Sequence, residues 1–226
     1  MRRGSCDLSF ISTRTTIQSG LLERTLRHFR SERMRLFERT FQISSRTRIL
    51  DVGGSPFIWN FATTRPRLTI LNLAAALDPA GSSVPLVAAD GCLLPFRNAA
   101  FDIVFSNSVI EHVGARLQRQ FASEISRVGR YYWVQTPNRR FPVELHLMLP
   151  LIHYLPKPLQ RVIVERFTIW QLLAQPSEAQ RRYYISHFLN ELTLLDRRGL
   201  QSLFPDARIL HERVAGLAKS LIAVRA

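Results

Sequence analysis

Asp51, Gly53 and Gly54 stand together in the stretch RILDVGGSP, from Arg48 to Pro56. An apolar run ends in an acid, passes through two glycines and reaches a proline of the kind tolerated in a helix's first turn. Small residues at that point let the backbone approach a ligand closely. The helix start that follows offers unpaired N–H groups. A carboxylate at the strand end can order the loop or meet a charged ligand. The chemistry this arrangement suits is binding of a nucleotide-like cofactor at the carboxyl end of a parallel strand. An ordinary tight strand-to-helix turn would use the same residues. The spacing is not GxGxxG, which argues against a nicotinamide dinucleotide.

Further polar residues close later apolar runs. Asn72 ends LTILNL, where ribose-binding folds place a group that accepts from sugar hydroxyls; its carbonyl oxygen can do so without charge. Asp78 is a fallback acid in the loop beyond. Asp90 and Gly91 follow VPLVAA, and the carboxylate there can accept from an exocyclic amine such as that of adenine. Leu93, Leu94 and Phe96 would supply an apolar wall. Asn107, Ser108, Glu111 and His112 follow FDIVFS, at the mouth of a sheet. His112 is the candidate catalytic residue, a general base near neutral pH, with a positioning role as the competing reading. Glu111 and His112 are adjacent, so on a helix they would not share a face and would not form an acid–base pair. His28, His146, His153, His187 and His211 are scattered along the chain and suggest no metal site.

The elements that must position these residues follow from periodicity. Apolar residues at three- and four-residue spacing predict a helix over 18–42, either a lid or a helix packed on the sheet. Strands are expected at 49–52, 68–73, 84–89, 101–106 and 131–135, with helices at 56–62 and 115–128 between them. This alternation implies an α/β fold: a Rossmann-like three-layer αβα sandwich with a mostly parallel seven-stranded sheet. Two final strands, 207–213 and 219–225, would add a C-terminal antiparallel hairpin, preceded by a helix over 197–204 capped by Asp196. Six prolines punctuate 137–190, read as a helical insertion with helices near 143–153, 157–167 and 178–190. Residues 1–45 are therefore a leader and a helical region packed on or capping the core, and 46–226 the main domain. Tyr131, Tyr132 and Trp133 are expected to fill the sheet. Phe141, His146, His153 and Tyr154 are the candidates for an acceptor pocket.

The chain carries 31 Lys and Arg against 17 acids, for a net charge of +14. That total invites a nucleic-acid or anionic-membrane partner. The excess lies on the flanks, however: residues 49–135 hold seven Arg and six acids, so the expected cofactor core is near neutral. No added RNA-binding motif accompanies it, which makes nucleic acid the weaker reading. Cys6 and Cys92 are too few for a disulfide framework, which favours a reducing, cytoplasmic setting. No apolar run reaches the roughly 18 residues of a membrane span, but the apolar, proline-broken insertion is compatible with peripheral membrane contact.

In the order of its motifs the chain resembles a class I S-adenosylmethionine-dependent methyltransferase, of the broad group that includes the ubiquinone and menaquinone biosynthesis enzymes. ILDVGGSP (49–56), AADGCLLPF (88–96), FDIVFSNSVIEHV (101–113) and YYWVQTPN (131–138) carry the resemblance. It implies S-adenosyl-L-methionine as cofactor, with Asp51 and Gly53 framing its methionine end, Asp90 beside the adenine and Asn107 near the methionine portion; Gly54, Asn72, Gly91 and Ser108 complete the candidate cofactor-binding set. It implies methyl transfer to a small-molecule or lipid-like acceptor. The chain departs from the family pattern at Ser55, Phe57 and Asn72. Those departures motivate the alternative of a non-catalytic binding or scaffold protein.

Overall fold

The structure is a computed structural model and describes residues 20–77, 83–174 and 176–226. Asp78, the fallback acid, lies outside them. The described residues begin with a helix, α1 (Gly20–Phe41), followed by β1 (Arg48–Val52), a single turn of helix α2 (Pro56–Trp59), β2 (Arg67–Asn72), β3 (Leu86–Ala88) and β4 (Phe101–Asn107); the leader expected over 1–17 lies outside them. Then come α3 (Gln118–Val128) and β5 (Gly129–Pro137). The segment beyond holds a two-stranded hairpin, β6 (Val143–Glu144) and β7 (Leu149–Pro150), and three helices, α4 (Lys157–Arg166), α5 (Ile169–Ala174) and α6 (Glu178–Asn190). Helix α7 (Arg197–Leu203) and strands β8 (Arg208–Val214) and β9 (Leu217–Arg225) complete it.

Seven strands form one sheet in the order β3-β2-β1-β4-β5-β9-β8. The first five run parallel; β9 is antiparallel to β5, and β8 to β9. The expected mixed seven-stranded sheet is therefore present. Strand parity sorts its side chains between two cores. Leu50, Val52, Val104, Tyr132 and Val134 face α3 and α7, meeting Phe121, Ile125, Leu200 and Phe204. Ile49, Ile103, Phe105 and Trp133 face the other way, meeting Met34 and Phe37 of α1 and Trp59 of α2. Phe37 is wholly buried and lies edge-on to Phe105 and Trp133, at 4.9 and 5.6 Å between ring centres. Burial of such a side chain contributes about 2 kcal/mol or more. Thus α1 is a layer of the sandwich rather than a detachable lid.

Two expectations change here. The helix expected over 143–153 is a hairpin followed by a short 3-10 turn, Ile152–Tyr154. Glu144 causes this: its buried carboxylate accepts from the backbone N–H groups of His146 (3.0 Å) and Leu147 (2.7 Å), which closes the turn locally. Tyr131 does not fill the sheet but stands 46% exposed, while Tyr132 and Trp133 are fully buried as expected. The insertion has a core of its own, built from Leu147, Leu149, Ile152, Val164, Ile185, Phe188 and Leu189. Asp196 caps α7 through the Gly199 N–H at 2.9 Å.

Candidate active site

The carboxyl ends of β1, β2, β4 and β5 converge on one edge of the sheet. Parity turns the Asp51 side chain toward the α1 face, where it is fully buried. Trp59 Nε1 donates to its Oδ2 at 2.8 Å, and its Oδ1 has no hydrogen-bond partner. Burial pushes this carboxyl up to about 7 against the smaller opposing effect of the Trp59 bond. Gly53 takes φ +75°, which glycine adopts without strain, and its N–H donates to the Leu71 carbonyl at 2.7 Å. At Gly54 a Cβ would overlap the Asp51 carboxylate. The loop is thus folded directly over the buried acid.

Asn72 ties that loop down. Its Nδ2 donates to the Gly54 carbonyl at 3.0 Å, and its Oδ1 accepts from the Leu73 N–H at 2.9 Å. An aspartate could not make the first of these bonds, which gives the departure from the family pattern a physical use. Asp90 Oδ1 accepts from the Cys92 N–H at 2.8 Å and so shapes its own turn. Gly91 packs on Phe121 and Val52. Of the expected apolar wall, Leu94 and Phe96 belong to the core cluster, whereas Leu93 is exposed.

At the end of β4, Asn107 Oδ1 accepts from Arg33 Nη1 of α1 at 2.6 Å. Arg33 also grips Glu212 of β8 through two bonds of 3.0 and 2.8 Å, and Lys219 of β9 lies 3.0 Å from the same carboxylate. Burial would raise the Glu212 carboxyl, but the two cations outweigh it and hold the group below its usual range. Arg33 and Glu212 escape a sequence reading because one arginine among many in a basic helix carries no distinguishing mark. Ser108 adopts φ +57°; its N–H and Oγ meet the carbonyl and side-chain oxygens of Gln135, each at 2.9 Å.

Beyond Ser108 the chain turns rather than forming a helix, and this corrects the expectation for Glu111 and His112. His112 Nε2 lies 4.0 Å from Glu111 Oε1, so the two side chains do approach one another. Nor do all the histidines stay scattered, since two of them join His112. His112 Nδ1 and His187 Nε2 share a hydrogen bond of 2.9 Å, and the His146 ring stands edge-on to His112 at 4.9 Å. The β6–β7 hairpin supplies His146 and α6 supplies His187, both folding back over the β4 end. Burial, with His146 and His187 alongside, holds His112 well below the usual imidazole range, so it is neutral at pH 7. Burial pushes the Glu111 carboxyl up to about 7. Thr136 Oγ1 donates to Glu111 Oε2 at 2.8 Å. His153 and Tyr154, expected near the pocket, instead meet each other at 4.2 Å, with His153 Nε2 bonded to the Arg139 carbonyl.

Asp51 with its stranded oxygen, the glycine cover and the neutral His112 lie at the ends of neighbouring strands, β1 and β4. Residues 63–131 match the family model described as a methyltransferase domain. No curated protein matches the chain. Solved structures similar in fold include a Rhodobacter sphaeroides protein provisionally described as a zinc-dependent alcohol dehydrogenase (TM-score 0.62, 11% identity, covering 85% of this chain and 87% of that one). A Pyrococcus horikoshii protein gives TM-score 0.56 at 16% identity, over 92% of each chain. The magnesium protoporphyrin IX methyltransferase of Synechocystis, with bound S-adenosylhomocysteine, gives 0.53 at 12% identity, over 92% of this chain and 89% of that one. The matched segment carries the similarity to a methyltransferase domain, and the strand order and flanking helices are those of the Rossmann-like methyltransferase fold.

Proposed function

We propose that the protein transfers a methyl group from S-adenosyl-L-methionine to a small-molecule or lipid-like acceptor. The observation that carries this reading is the Asp51 carboxylate, buried with one oxygen unpartnered beneath a glycine loop. A buried carboxylate oxygen without a partner is costly, and a cationic ligand seated at that loop would relieve it. Asp51, Gly53 and Gly54 would hold the amino-acid end of the cofactor. Asn72 would meet the ribose through the lone pair left on Oδ1, Asp90 and Gly91 would flank the adenine beside Leu93, and Asn107 with Ser108 would close the methionine side. When bound, the cofactor supplies a methyl group already activated by its sulfonium. The protein's part is then alignment of the two reactants. His112, neutral and beyond the end of β4, would take a proton from an acceptor that must lose one. His187 holds its ring, with Glu191 Oε2 2.7 Å from the His187 Nδ1.

Isothermal titration with S-adenosylmethionine tests the reading. Saturable binding that Asp51→Asn weakens is the expected result; no binding at millimolar cofactor by the folded protein would refute it. Binding without turnover against a broad acceptor panel would instead favour a scaffold role.

A lipid-like acceptor draws support from the insertion. Leu159, Val162, Ile163, Phe167 and Leu172 are exposed there beside Lys157, Arg161 and Arg166. An apolar face rimmed by cations suits an anionic membrane surface, where each side contributes. Among the described residues no helix is long and apolar enough to cross a membrane. Co-sedimentation with anionic but not zwitterionic liposomes, lost in Leu159→Ser/Phe167→Ser, is the expected outcome.

A further inference from the structure

We propose that Glu111, His112 and His146 form a binding site for a divalent zinc-class metal ion beside the methyl-transfer site. Each offers one ligand atom, and these atoms lie within 4.8 Å of one another. Two imidazoles and a carboxylate are a donor set that suits zinc and commonly leaves a fourth position open. A second observation points the same way. Glu111 is fully buried, and its Oε1 has no hydrogen-bond partner, although Oε2 is engaged by Thr136. A cation coordinated at Oε1 satisfies that stranded atom.

The surroundings of the two rings also match those of metal-bound histidines, which characteristically give their other nitrogen to a carboxylate or another fixed partner. His146 Nδ1 lies 2.6 Å from Oε1 of the buried Glu144, so Nε2 is the nitrogen it would give the metal. Glu144 is itself fixed by two backbone N–H groups. His112 Nδ1 is bonded to His187, which in turn reaches Glu191, so His112 would likewise coordinate through Nε2. Zinc bonds of about 2.0 Å place tetrahedral ligand atoms about 3.3 Å apart. Side-chain reorientation over that difference would bring the three atoms to a bound ion. A metal here would take His112 as a ligand and would itself promote loss of an acceptor proton at the open position.

The test uses the full chain, stripped with a chelator and then titrated with Zn2+ against a chromophoric competitor, and separately with Co2+. Expected are one Zn2+ per chain and visible Co2+ absorption of four- or five-coordinate intensity. Glu111→Gln and His146→Ala should each weaken Zn2+ binding at least 100-fold. Glu144→Gln, a positioning change, should weaken it about 10- to 100-fold, and His211→Ala should leave it unchanged. Circular dichroism separates loss of the site from loss of the fold. Absence of stoichiometric Zn2+ binding by the wild-type chain overturns the proposal whatever the variants do, and so does undiminished binding by folded His146→Ala. Cofactor titration reads the methyltransferase reading independently, so either can fail alone.

Discussion

Replacing Asp51 by Asn should stabilise the cofactor-free protein, and the gain should depend on pH. The buried carboxyl titrates at about 7 rather than 3.8. Between those values the folded chain keeps a proton that the unfolded chain has lost. Stability therefore falls as pH rises from about 4 to about 7 and is level beyond. At about 1.4 kcal/mol per pH unit, the loss is on the order of 4–5 kcal/mol at pH 8. Asparagine has the shape of the protonated acid. Its oxygen can keep the Trp59 bond, and its amide can occupy the position of the unpartnered Oδ1. Asp51→Asn and wild type should thus melt together at pH 4 and separate on the order of 10 °C at pH 8, at 2–4 °C per kcal/mol for a chain of this size. Calorimetry or thermal circular dichroism across that range measures it. A difference independent of pH, or a variant less stable than wild type at pH 8, refutes the reasoning. Cofactor affinity should move the opposite way, because the charge that destabilises the empty fold is the one a cationic ligand would use.

Gly54→Ala should drive the Asp51 carboxylate from its place, cost about 1–3 kcal/mol in urea unfolding and weaken cofactor binding with it; an unperturbed variant would show that the loop yields freely. Asn72→Asp removes the donor to the Gly54 carbonyl and sets two acceptors face to face, with a loss of about 1–3 kcal/mol. Equal or greater stability would contradict the assignment of that bond. Arg33→Ala deprives Glu212 of its bidentate partner while Lys219 remains, so a loss of about 2–3 kcal/mol is expected by denaturant titration, short of the full penalty for breaking a buried pair. Arg33→Lys should recover only part of it, since a lysine cannot span both Glu212 oxygens and Asn107.

The strands of the parallel core were legible because each is a short apolar run closed by a polar residue, and α1 because its apolar spacing is helical. Periodicity could not separate 143–153 from a helix: its turn is made by one buried glutamate, Glu144, accepting from two backbone N–H groups. The places of the candidate residues at the strand ends were legible from position alone. Their partners were not. Trp59 is eight residues from Asp51 and carries no polar signal, and His146 and His187 reach His112 only through the path of the insertion. Adjacency misled at Glu111 and His112 because the helical rule was applied to a turn.

The contact from Arg33 to Glu212 closes across 179 positions of sequence, and the same guanidinium holds Asn107. Contacts of that range carry a large loop-closure cost and form late in folding. The β1 loop draws on nearer partners: Trp59 and Asn72 tie it, and Ser106 donates to the Val52 carbonyl at 3.1 Å. Asn107 takes its final setting only after β8 has been made and docked. A chain ending before β8 would lack the grip on Asn107 at the end of β4, and a break there would be felt at the far end of the sequence.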